Sequence, residues 1–449
     1  MKRPSLSSGF ATFTVIWSGQ LASLLGTGLT RFALLLWIYE QTGHATSIAL
    51  LGFFSFGATV IVSPFAGVVV DRLDRRWVMI GADTGAGLMT VLLFILYSAG
   101  GLQVWHLYLT SALTGVFEAF QLPAFTAATT MLVPKSAYAR VSGMRSLSTS
   151  IAEIGAPLLA GTLLSIIGLA GVMLIDIATF LIAVLALFRV RIPRPDGSAE
   201  PTAEPRNTRS DIGAGFRFIL QRPGLAGLLI IYAGINLFGA LTYMALMPTM
   251  VLARSGSDRM VLASVQAALG LGGLAGGLCV SLWGGPKRRI HGILAMTALS
   301  FLFGDFLFAI GRGVTVWVVA AFVAAFFIPF MFAANRVIWQ AKVPPILQGR
   351  VFSVQGMLQR AMMPLGYLAA GPLADHVFEP AMAAGGVLVP FFSPLVGTGP
   401  GAGMALMFAG TAILGTAMCV IGYAFRAIRQ VEDDLPDHDA ALPPDALAA

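Results

Sequence analysis

Charged residues are scarce in this chain: they make up 11% of its 449 residues, whereas a soluble globular protein carries about 25%. This scarcity excludes a soluble enzyme, a disordered protein and a nucleic-acid-binding domain. Cysteine is also rare, and Cys279 and Cys419 lie in separate apolar runs, so they form neither a disulfide framework nor a metal cluster. The five histidines are scattered without ligand spacing, and we therefore expect no metal and no cofactor.

Long apolar runs are what the sequence has instead, and 57% of its residues are hydrophobic. A bilayer requires about 20 apolar residues per crossing, and lipid obliges each crossing segment to be helical. The pattern predicts an all-α membrane protein with twelve transmembrane helices, at 11–40, 45–70, 77–99, 103–133, 143–167, 169–188, 224–253, 259–284, 290–311, 313–341, 351–377 and 401–425.

Basic residues predict the orientation of these helices, because Lys and Arg concentrate in cytoplasmic loops. With the N-terminus inside, 22 of the 28 Lys and Arg residues fall near the chain ends or in the even-numbered gaps. The odd-numbered gaps hold only Arg254, Arg259 and Arg312. We therefore predict a multi-pass protein of the inner or plasma membrane, with both termini in the cytoplasm.

The twelve spans divide into two halves with a weak internal repeat. Val133-Pro134 and Arg140-Val141 recur 210 residues later as Val343-Pro344 and Arg350-Val351, at equivalent gaps. The sequence predicts an N-terminal half at 1–191, a cytoplasmic linker with an interfacial helix at 192–222, a C-terminal half at 223–429 and an acidic disordered tail at 430–449. The outer gap at 378–400 is either a loop or a partly re-entrant segment.

The gap between spans 2 and 3 carries a specific motif. Residues 67–76 read Gly-Val-Val-Val-Asp-Arg-Leu-Asp-Arg-Arg, and this resembles the signature loop of the major facilitator superfamily, G-x-x-x-D-R-x-x-R-R, at every fixed position. We expect Gly67 to permit close helix packing and Asp71 to accept hydrogen bonds from a helix N-terminus or to pair with an arginine. The basic residues are expected to hold the loop at the cytoplasmic surface; they are Arg72, Arg75 and Arg76.

Further segments resemble the drug-exporter branch of that superfamily, which includes macrolide and enterobactin exporters; they are 26–43, 284–289, 348–353 and 371–375. The segment 284–289 keeps the basic cluster of the signature loop but lacks its acidic partner. In span 5, Gly155, Pro157 and Gly161 resemble the antiporter motif G-P-x-x-G-G, from which the chain departs by an inserted alanine and by Ala160. The resemblance implies proton antiport with alternating access.

Charged side chains within the spans are costly, at least about 2.5–3.5 kcal/mol each at mid-bilayer, so each requires a partner, a water-filled cavity or a function. Arg31 has uncharged residues at i±4, and its counter-ion must come from another helix. In the superfamily, spans 1, 4, 7 and 10 line the cavity, which favours Glu118 as the partner of Arg31 and as the proton-coupling carboxyl. Glu153 and Asp305 are the other candidates for proton coupling. For all four residues a fixed structural role is the alternative.

The second half offers a candidate substrate contact in span 10. Arg336 and Gln340 share one helix face at i, i+4, and Asn335 lies beside them. These three form the most polar patch of that half, with a structural role as the alternative. The glycines between Gly270 and Gly277 lack the Lys-Ser/Thr of a nucleotide loop, so they predict helix packing, and the energy source is expected to be an ion gradient.

Together these features predict a secondary active transporter, not an enzyme, that exports amphiphilic small molecules such as drugs, siderophores or peptide natural products. The expected partners are a small-molecule substrate, protons and the lipid bilayer, without nucleic acid, and the protein is expected to act as a monomer. The alternatives are an importer of the same superfamily and a membrane sensor or lipid enzyme that does not transport.

Overall fold

The computed structural model describes residues 6–190 and 208–437, and these ranges contain helices but no strand. The α-helices are α1 Leu6–Thr42, α2 Ala45–Arg72, α3 Arg75–Ser98, α4 Val104–Leu132, α5 Tyr138–Arg189, α6 Thr208–Leu220, α7 Pro223–Gly239, α8 Met247–Ser255, α9 Arg259–Trp283, α10 Arg289–Leu299, α11 Phe306–Ile310, α12 Val314–Lys342, α13 Pro345–Leu373, α14 Glu379–Met382, α15 Val389–Val396, α16 Ala402–Ala424, α17 Arg426–Arg429 and α18 Val431–Asp434. The predicted all-α class is confirmed.

Nine helical stretches of the described chain are long and apolar enough to cross a membrane. One of them, Arg140–Arg189, contains two predicted spans, because the backbone of Gly168 leaves the helical region with φ 66°. In addition, α4 and α13 coincide with the predicted fourth and eleventh spans. The described helices are therefore consistent with twelve crossings.

Three crossings of the second half contain π-helical segments, which the sequence pattern did not predict. They are Ala240–Leu246, Ser300–Asp305 and Ala374–Phe378. Each joins α-helical stretches into one continuous rod, as in the run α7, Ala240–Leu246 and α8. Such segments are rare and occur frequently at functional sites, because they rotate the side chains that follow.

Contacts divide the chain into two compact units, Met1–Glu200 with Ser257–Ala267 and Pro201–Gly256 with Ala268–Ala449. In the first unit α1 packs along α5, and α2 packs against α4. Its apolar core includes Phe13, Ile16, Met79, Ala124, Phe180 and Leu187. In the second unit α10 packs against α12, and α7 packs against α13. Its core includes Leu225, Leu228, Ile293, Trp339, Val351 and Val431.

Large apolar side chains are exposed along the long helices of both units. Ile61 is 71% exposed, Ile166 is 71% exposed and Leu282 is 90% exposed. A soluble protein rarely leaves so much apolar surface uncovered, whereas lipid solvates it, and the helices satisfy their own backbone hydrogen bonds. These surfaces identify a multi-pass membrane protein.

The linker helix α6 packs against the apolar core of the second unit through Phe218 and Ile219. The expected apolar face contained Ile212, Phe216, Ile219 and Leu220. In the structure Phe218 and Ile219 are buried, whereas Phe216 and Leu220 are exposed, and the side chain of Ile212 lies outside the described residues. Helix α6 packs on α13, and the interfacial position of this helix stays a prediction.

The outer gap at 378–400 folds into α14 and α15 with defined anchors. The Glu379 carboxylate accepts hydrogen bonds from the backbone N–H groups of Gly401 (3.1 Å) and Met404 (2.9 Å), and so caps the start of α16. The Arg254 guanidinium donates to the carbonyl of Val396 over 2.6 Å. Burial raises the pKa of the Glu379 carboxyl, and these N–H donors and Arg254 partly oppose the rise.

The start of the acidic tail is ordered, contrary to the disorder predicted from residue 430. Val431 is completely buried. The two carboxylate oxygens of Glu432 accept hydrogen bonds from the backbone N–H groups of Arg289 (3.1 Å) and Ile290 (2.9 Å) in the first turn of α10. The tail thereby supplies the acidic partner that the loop 284–289 lacks. Residues 438–449 lie outside the described residues.

A buried lysine fixes the same tail segment to α12. The side chain of Lys342 is 6% exposed, and its Nζ forms an ion pair with Asp437 over 2.8 Å. The same Nζ donates to the carbonyl oxygen of Glu432 over 2.5 Å and to that of Leu435. The sequence does not predict this contact, because Lys342 and Asp437 are remote along the chain and the acidic composition of the tail indicates a solvated segment.

The Glu432 cap provides a prediction about stability. We expect Glu432→Ala to reduce the free energy of unfolding by about 1–2 kcal/mol, because two N–H groups of α10 lose their acceptor near a helix N-terminus. Asp434→Ala is the matched control, since Asp434 is an exposed acid in the same turn of the tail. Thermal melting of the purified proteins in detergent measures both, and equal melting temperatures for the two variants would contradict the proposed cap.

Candidate functional site

The first unit brings together the two charged residues that the sequence paired. Arg31 in α1 and Glu118 in α4 form an ion pair through Nη2 and Oε1. Their side chains remain 56% and 31% exposed, although both helices are apolar on either side. The pair therefore links two crossings at a place that small polar species can reach, and a change of charge on either partner alters the link between α1 and α4.

The other two coupling candidates are separate from this pair. Glu153 in α5 is an exposed residue one turn before Pro157. Asp305 lies in the second unit at the end of a π-helical segment and is 1% exposed. Its Oδ2 accepts a hydrogen bond from the hydroxyl of Thr411 in α16 over 2.6 Å. Asp305 therefore links two helices of the second unit through a hydrogen bond, which fits a fixed structural role, the alternative to proton coupling.

The polar patch predicted in α12 is divided between two faces. Arg336 and Gln340 are exposed on one side of the helix. Asn335 is 6% exposed, and its Oδ1 accepts a hydrogen bond over 3.0 Å from the indole Nε1 of Trp339. Trp339 belongs to the apolar core of the second unit, so Asn335 satisfies a buried donor there. Of the three predicted residues, Arg336 and Gln340 present polar groups on the open face.

The signature loop connects α3 to the end of α5 through arginine. Arg76 donates from Nε to the carbonyl oxygen of Leu187 over 2.9 Å and from Nη2 to that of Phe188 over 2.6 Å. A guanidinium at these last carbonyls complements the negative end of the helix. Arg75 contacts the thioether sulfur of Met131 over 2.5 Å. The loop thus joins three helices of the first unit.

The remaining positions of the loop motif, Gly67, Asp71 and Arg72, belong to α2. A Cβ placed on Gly67 would meet no atom within 4 Å, so the prediction that Gly67 permits close packing is wrong in this arrangement. Helix α2 passes through Gly67 with open space on that side. Asp71 and Arg72 end α2, and their side chains lie outside the described residues.

The antiporter-like motif of span 5 contributes close helix contacts. A Cβ on Gly161 would lie 3.0 Å from the sulfur of Met260, so this glycine allows α9 to approach α5. A Cβ on Gly155 would make only an ordinary van der Waals contact. The inserted Ala156 is buried, and a Cβ on Gly28 in α1 would lie 2.7 Å from its Cβ. The inserted alanine, by which the chain departs from the motif, is therefore a contact residue between α5 and α1. Pro157 lies within the same helix.

Two buried aspartates are further polar groups of the first unit, and the sequence did not predict their partners. Asp176 is 2% exposed and accepts hydrogen bonds from the hydroxyls of Thr27 (3.2 Å) and Thr90 (2.9 Å). Asp83 is 5% exposed and is bound by glutamine side chains of α1 and α4. Asp83 and Thr90 are seven residues apart and share the face of α3 that carries these polar contacts.

The fold and these intramembrane charges define a transporter-like membrane protein of two helical units. Residues 16–367 match the family described as Major Facilitator Superfamily, and the chain belongs to that superfamily. The membership predicted from residues 67–76 is therefore confirmed.

Relatives and solved structures agree with this membership. The chain is 28% identical to "Macrolide efflux protein A" of Streptococcus pyogenes, over 81% of this chain and 90% of that protein. It is 26% identical to "Multidrug efflux pump Tap" of Mycolicibacterium fortuitum, over 80% of this chain and 88% of that protein. The crystal structure of the nucleoside transporter NupG matches with a TM-score of 0.67 at 14% identity, over 92% of this chain and all of that one. The structural likeness shows the fold, and the named relatives are consistent with the drug-exporter branch.

Proposed function

We propose that the protein exports amphiphilic small molecules, macrolides among them, by proton antiport with alternating access. The efflux proteins to which it is similar support the substrate class. The distribution of Lys and Arg supports a position in the inner or plasma membrane with both termini in the cytoplasm. The two halves, 1–191 and 223–429, are proposed as the elements whose arrangement alternates, with 192–222 as their connection.

The observation that carries the proposal is the ion pair between Arg31 and Glu118. Proton coupling requires a carboxyl that is charged in one state of the cycle and neutral in another. A proton on Glu118 abolishes the charge that attracts Arg31, and its release restores the attraction. Because the pair joins α1 and α4, proton occupancy biases one arrangement of these helices over the other.

The cycle follows from this bias. A proton enters from the outside and neutralises Glu118, and the protonated form returns to the state that opens to the cytoplasm. There the proton leaves, the pair with Arg31 re-forms, and substrate binds. Arg336 and Gln340 on the open face of α12 are proposed as further substrate contacts, and the few polar groups suit compounds that are mostly apolar.

Transport in liposomes tests the proposal. We expect purified protein, reconstituted with an acidic lumen, to accumulate radiolabelled erythromycin and the amphiphilic dye ethidium as protons leave the vesicle. One proton per molecule supports at most about tenfold accumulation per pH unit. A protonophore should abolish accumulation, and empty liposomes provide the background.

Two other outcomes of the liposome experiment would replace or contradict the proposed export. Accumulation only when the lumen is alkaline would indicate symport, and it would replace the exporter with an importer of the same superfamily. Equal signals from protein-containing and empty liposomes, for both compounds and both gradients, would contradict export of this substrate class.

A further inference from the structure

A polar cluster lies within the first unit, apart from the Arg31–Glu118 pair. Gln20 Nε2 in α1 donates to Asp83 Oδ2 over 2.6 Å, and Gln121 Nε2 in α4 donates to Asp83 Oδ1 over 2.5 Å. Gln121 Nε2 also donates to Gln20 Oε1 over 2.8 Å. One buried carboxyl of α3 is therefore hydrogen-bonded to both of the helices that carry the ion pair.

Asp83 differs from Glu118 in the partners that the described part of the chain gives it. Among the described residues, no Lys, Arg or His forms an ion pair with Asp83. The other charged residues and histidines on α3 and on the described helices packed around it do not hydrogen-bond its carboxyl; they are Arg31 and Glu40 on α1, Arg75 and Arg76 on α3, His106 and Glu118 on α4, and Arg140, Arg145, Glu153, Asp176 and Arg189 on α5. An ionised carboxylate in apolar surroundings is costly without a cation, and a bound proton removes that cost.

The hydrogen bonds of the cluster depend on whether Asp83 carries a proton. As arranged, both of its oxygens accept from N–H groups, which suits the ionised carboxylate. A proton on Oδ2 would place an O–H donor against the N–H donor of Gln20. The amide of Gln20 must then turn to present its oxygen, and it would lose the contact with Gln121 that this oxygen now accepts. A proton on the side of Oδ2 that faces Gln20 is therefore incompatible with all three hydrogen bonds as they stand.

The cluster is coupled by geometry to the ion pair. Gln121 lies three residues after Glu118, so the two occupy adjoining positions on one side of α4. Gln20 lies eleven residues before Arg31, which is about three helical turns, so both occupy the same side of α1. Thr27, which binds Asp176, lies between them on that side. A rearrangement at Gln20 and Gln121 is therefore transmitted along the two helices that Arg31 and Glu118 join.

We propose that Asp83 is a second proton-binding site, distinct from Glu118, and that its proton switches the hydrogen bonds that tie α1 and α4 to α3. The ligand is a proton, which forms an O–H bond with one carboxylate oxygen and leaves from it, with no other covalent bond changed. The role of this site in transport rests on the proposed proton antiport. Proton binding at Asp83 does not, and it can be measured without a substrate.

Infrared difference spectroscopy tests proton binding directly. Spectra of the purified protein in lipid, recorded between acid and alkaline buffer, show the C=O stretch of each carboxyl that loses its proton. We expect a band that disappears in Asp83→Asn, shifts in Asp83→Glu and persists in Glu118→Gln. Asp176→Asn is the matched control, because it removes another buried aspartate of the same unit and should leave the Asp83 band unchanged.

Two results of the infrared experiment would overturn the proposal that Asp83 binds a proton. Identical difference spectra for wild type and Asp83→Asn would overturn the proposal. Should Asp83→Asn fail to fold, Gln121→Leu keeps the carboxyl and removes its Oδ1 donor, so the band must shift in frequency. An unshifted band in that variant would equally overturn the proposed switch.

Transport assays then separate this proposal from the proposed function. Asp83→Asn should slow erythromycin uptake driven by a pH gradient about tenfold or more, and keep erythromycin exchange at equal pH within about twofold. If the wild type shows no uptake driven by pH, proton antiport fails, and the infrared result still decides whether Asp83 binds a proton. If the wild type is driven by pH and Asp83→Asn equals it, Asp83 has no role in coupling.

Discussion

Glu118→Gln is expected to abolish accumulation of substrate driven by a pH gradient while substrate still moves down its own gradient. Glutamine keeps the size and hydrogen-bonding capacity of the side chain but can neither carry a charge nor release a proton. The ion pair with Arg31 is lost in both states of the cycle, so the two states no longer differ in proton affinity at this position. The rate of uptake driven by a pH gradient should fall about 100-fold or more.

A second ion pair of similar exposure provides the matched control. Glu40 and Arg259 are joined over 2.6 Å, and their side chains are 42% and 39% exposed. Glu40 lies near the end of α1, away from the middle of a crossing, so Glu40→Gln removes a salt bridge without removing an intramembrane proton site. We expect this variant to keep at least about half of the wild-type uptake, since an exposed pair contributes about 0–1 kcal/mol.

One transport result would contradict the proposed role of Glu118. If Glu118→Gln in liposomes still concentrates erythromycin as the wild type does, Glu118 is not the coupling residue. The assignment would then pass to Glu153, to Asp305 or to Asp83, and the infrared spectra distinguish the last of these. If both Glu118→Gln and Glu40→Gln lose uptake equally, the loss reflects the removal of salt bridges in general.

The crossings could be predicted from sequence because lipid imposes a simple requirement. A helix must be apolar for about 20 residues, and this leaves a signal in composition that needs no knowledge of packing. Even the break between spans 5 and 6, which the structure places at Gly168, falls between the predicted 143–167 and 169–188. The π-helical segments escaped prediction because an extra residue in one turn does not change the length of an apolar run.

Side-chain partners were predictable only where charge alone determines them. An arginine within an apolar span requires an acid from another helix, and Glu118 was the natural candidate, so the pair with Arg31 could be anticipated. Asp83 binds two neutral glutamines, and Asn335 binds an indole, and neither choice follows from charge. The start of the tail is ordered because Val431 is buried among helices that are remote in sequence, and this too could not be predicted.

The glycines of α9 provide the prediction with the largest expected effect on folding. Gly272 and Gly276 are buried, and a Cβ on either would overlap the backbone carbonyl oxygen of α12 at Phe322 or at Phe326. Backbone atoms of a packed helix cannot move aside as a flexible side chain can. The double variant Gly272→Ala/Gly276→Ala must therefore push α9 away from α12.

The neighbouring glycines give a control that has the same composition. A Cβ on Gly273 or Gly277 would meet no atom within 4 Å, so Gly273→Ala/Gly277→Ala adds two methyl groups without a clash. Alanine is favoured over glycine in a helix by about 0.5–1 kcal/mol, so this control should fold as well as the wild type or better. Gly272→Ala/Gly276→Ala should lose about 1–3 kcal/mol at each site through overpacking, less that gain. Thermal melting and the yield of monodisperse protein in detergent measure both variants. Equal stability of the two would mean that α9 and α12 do not approach each other through these glycines.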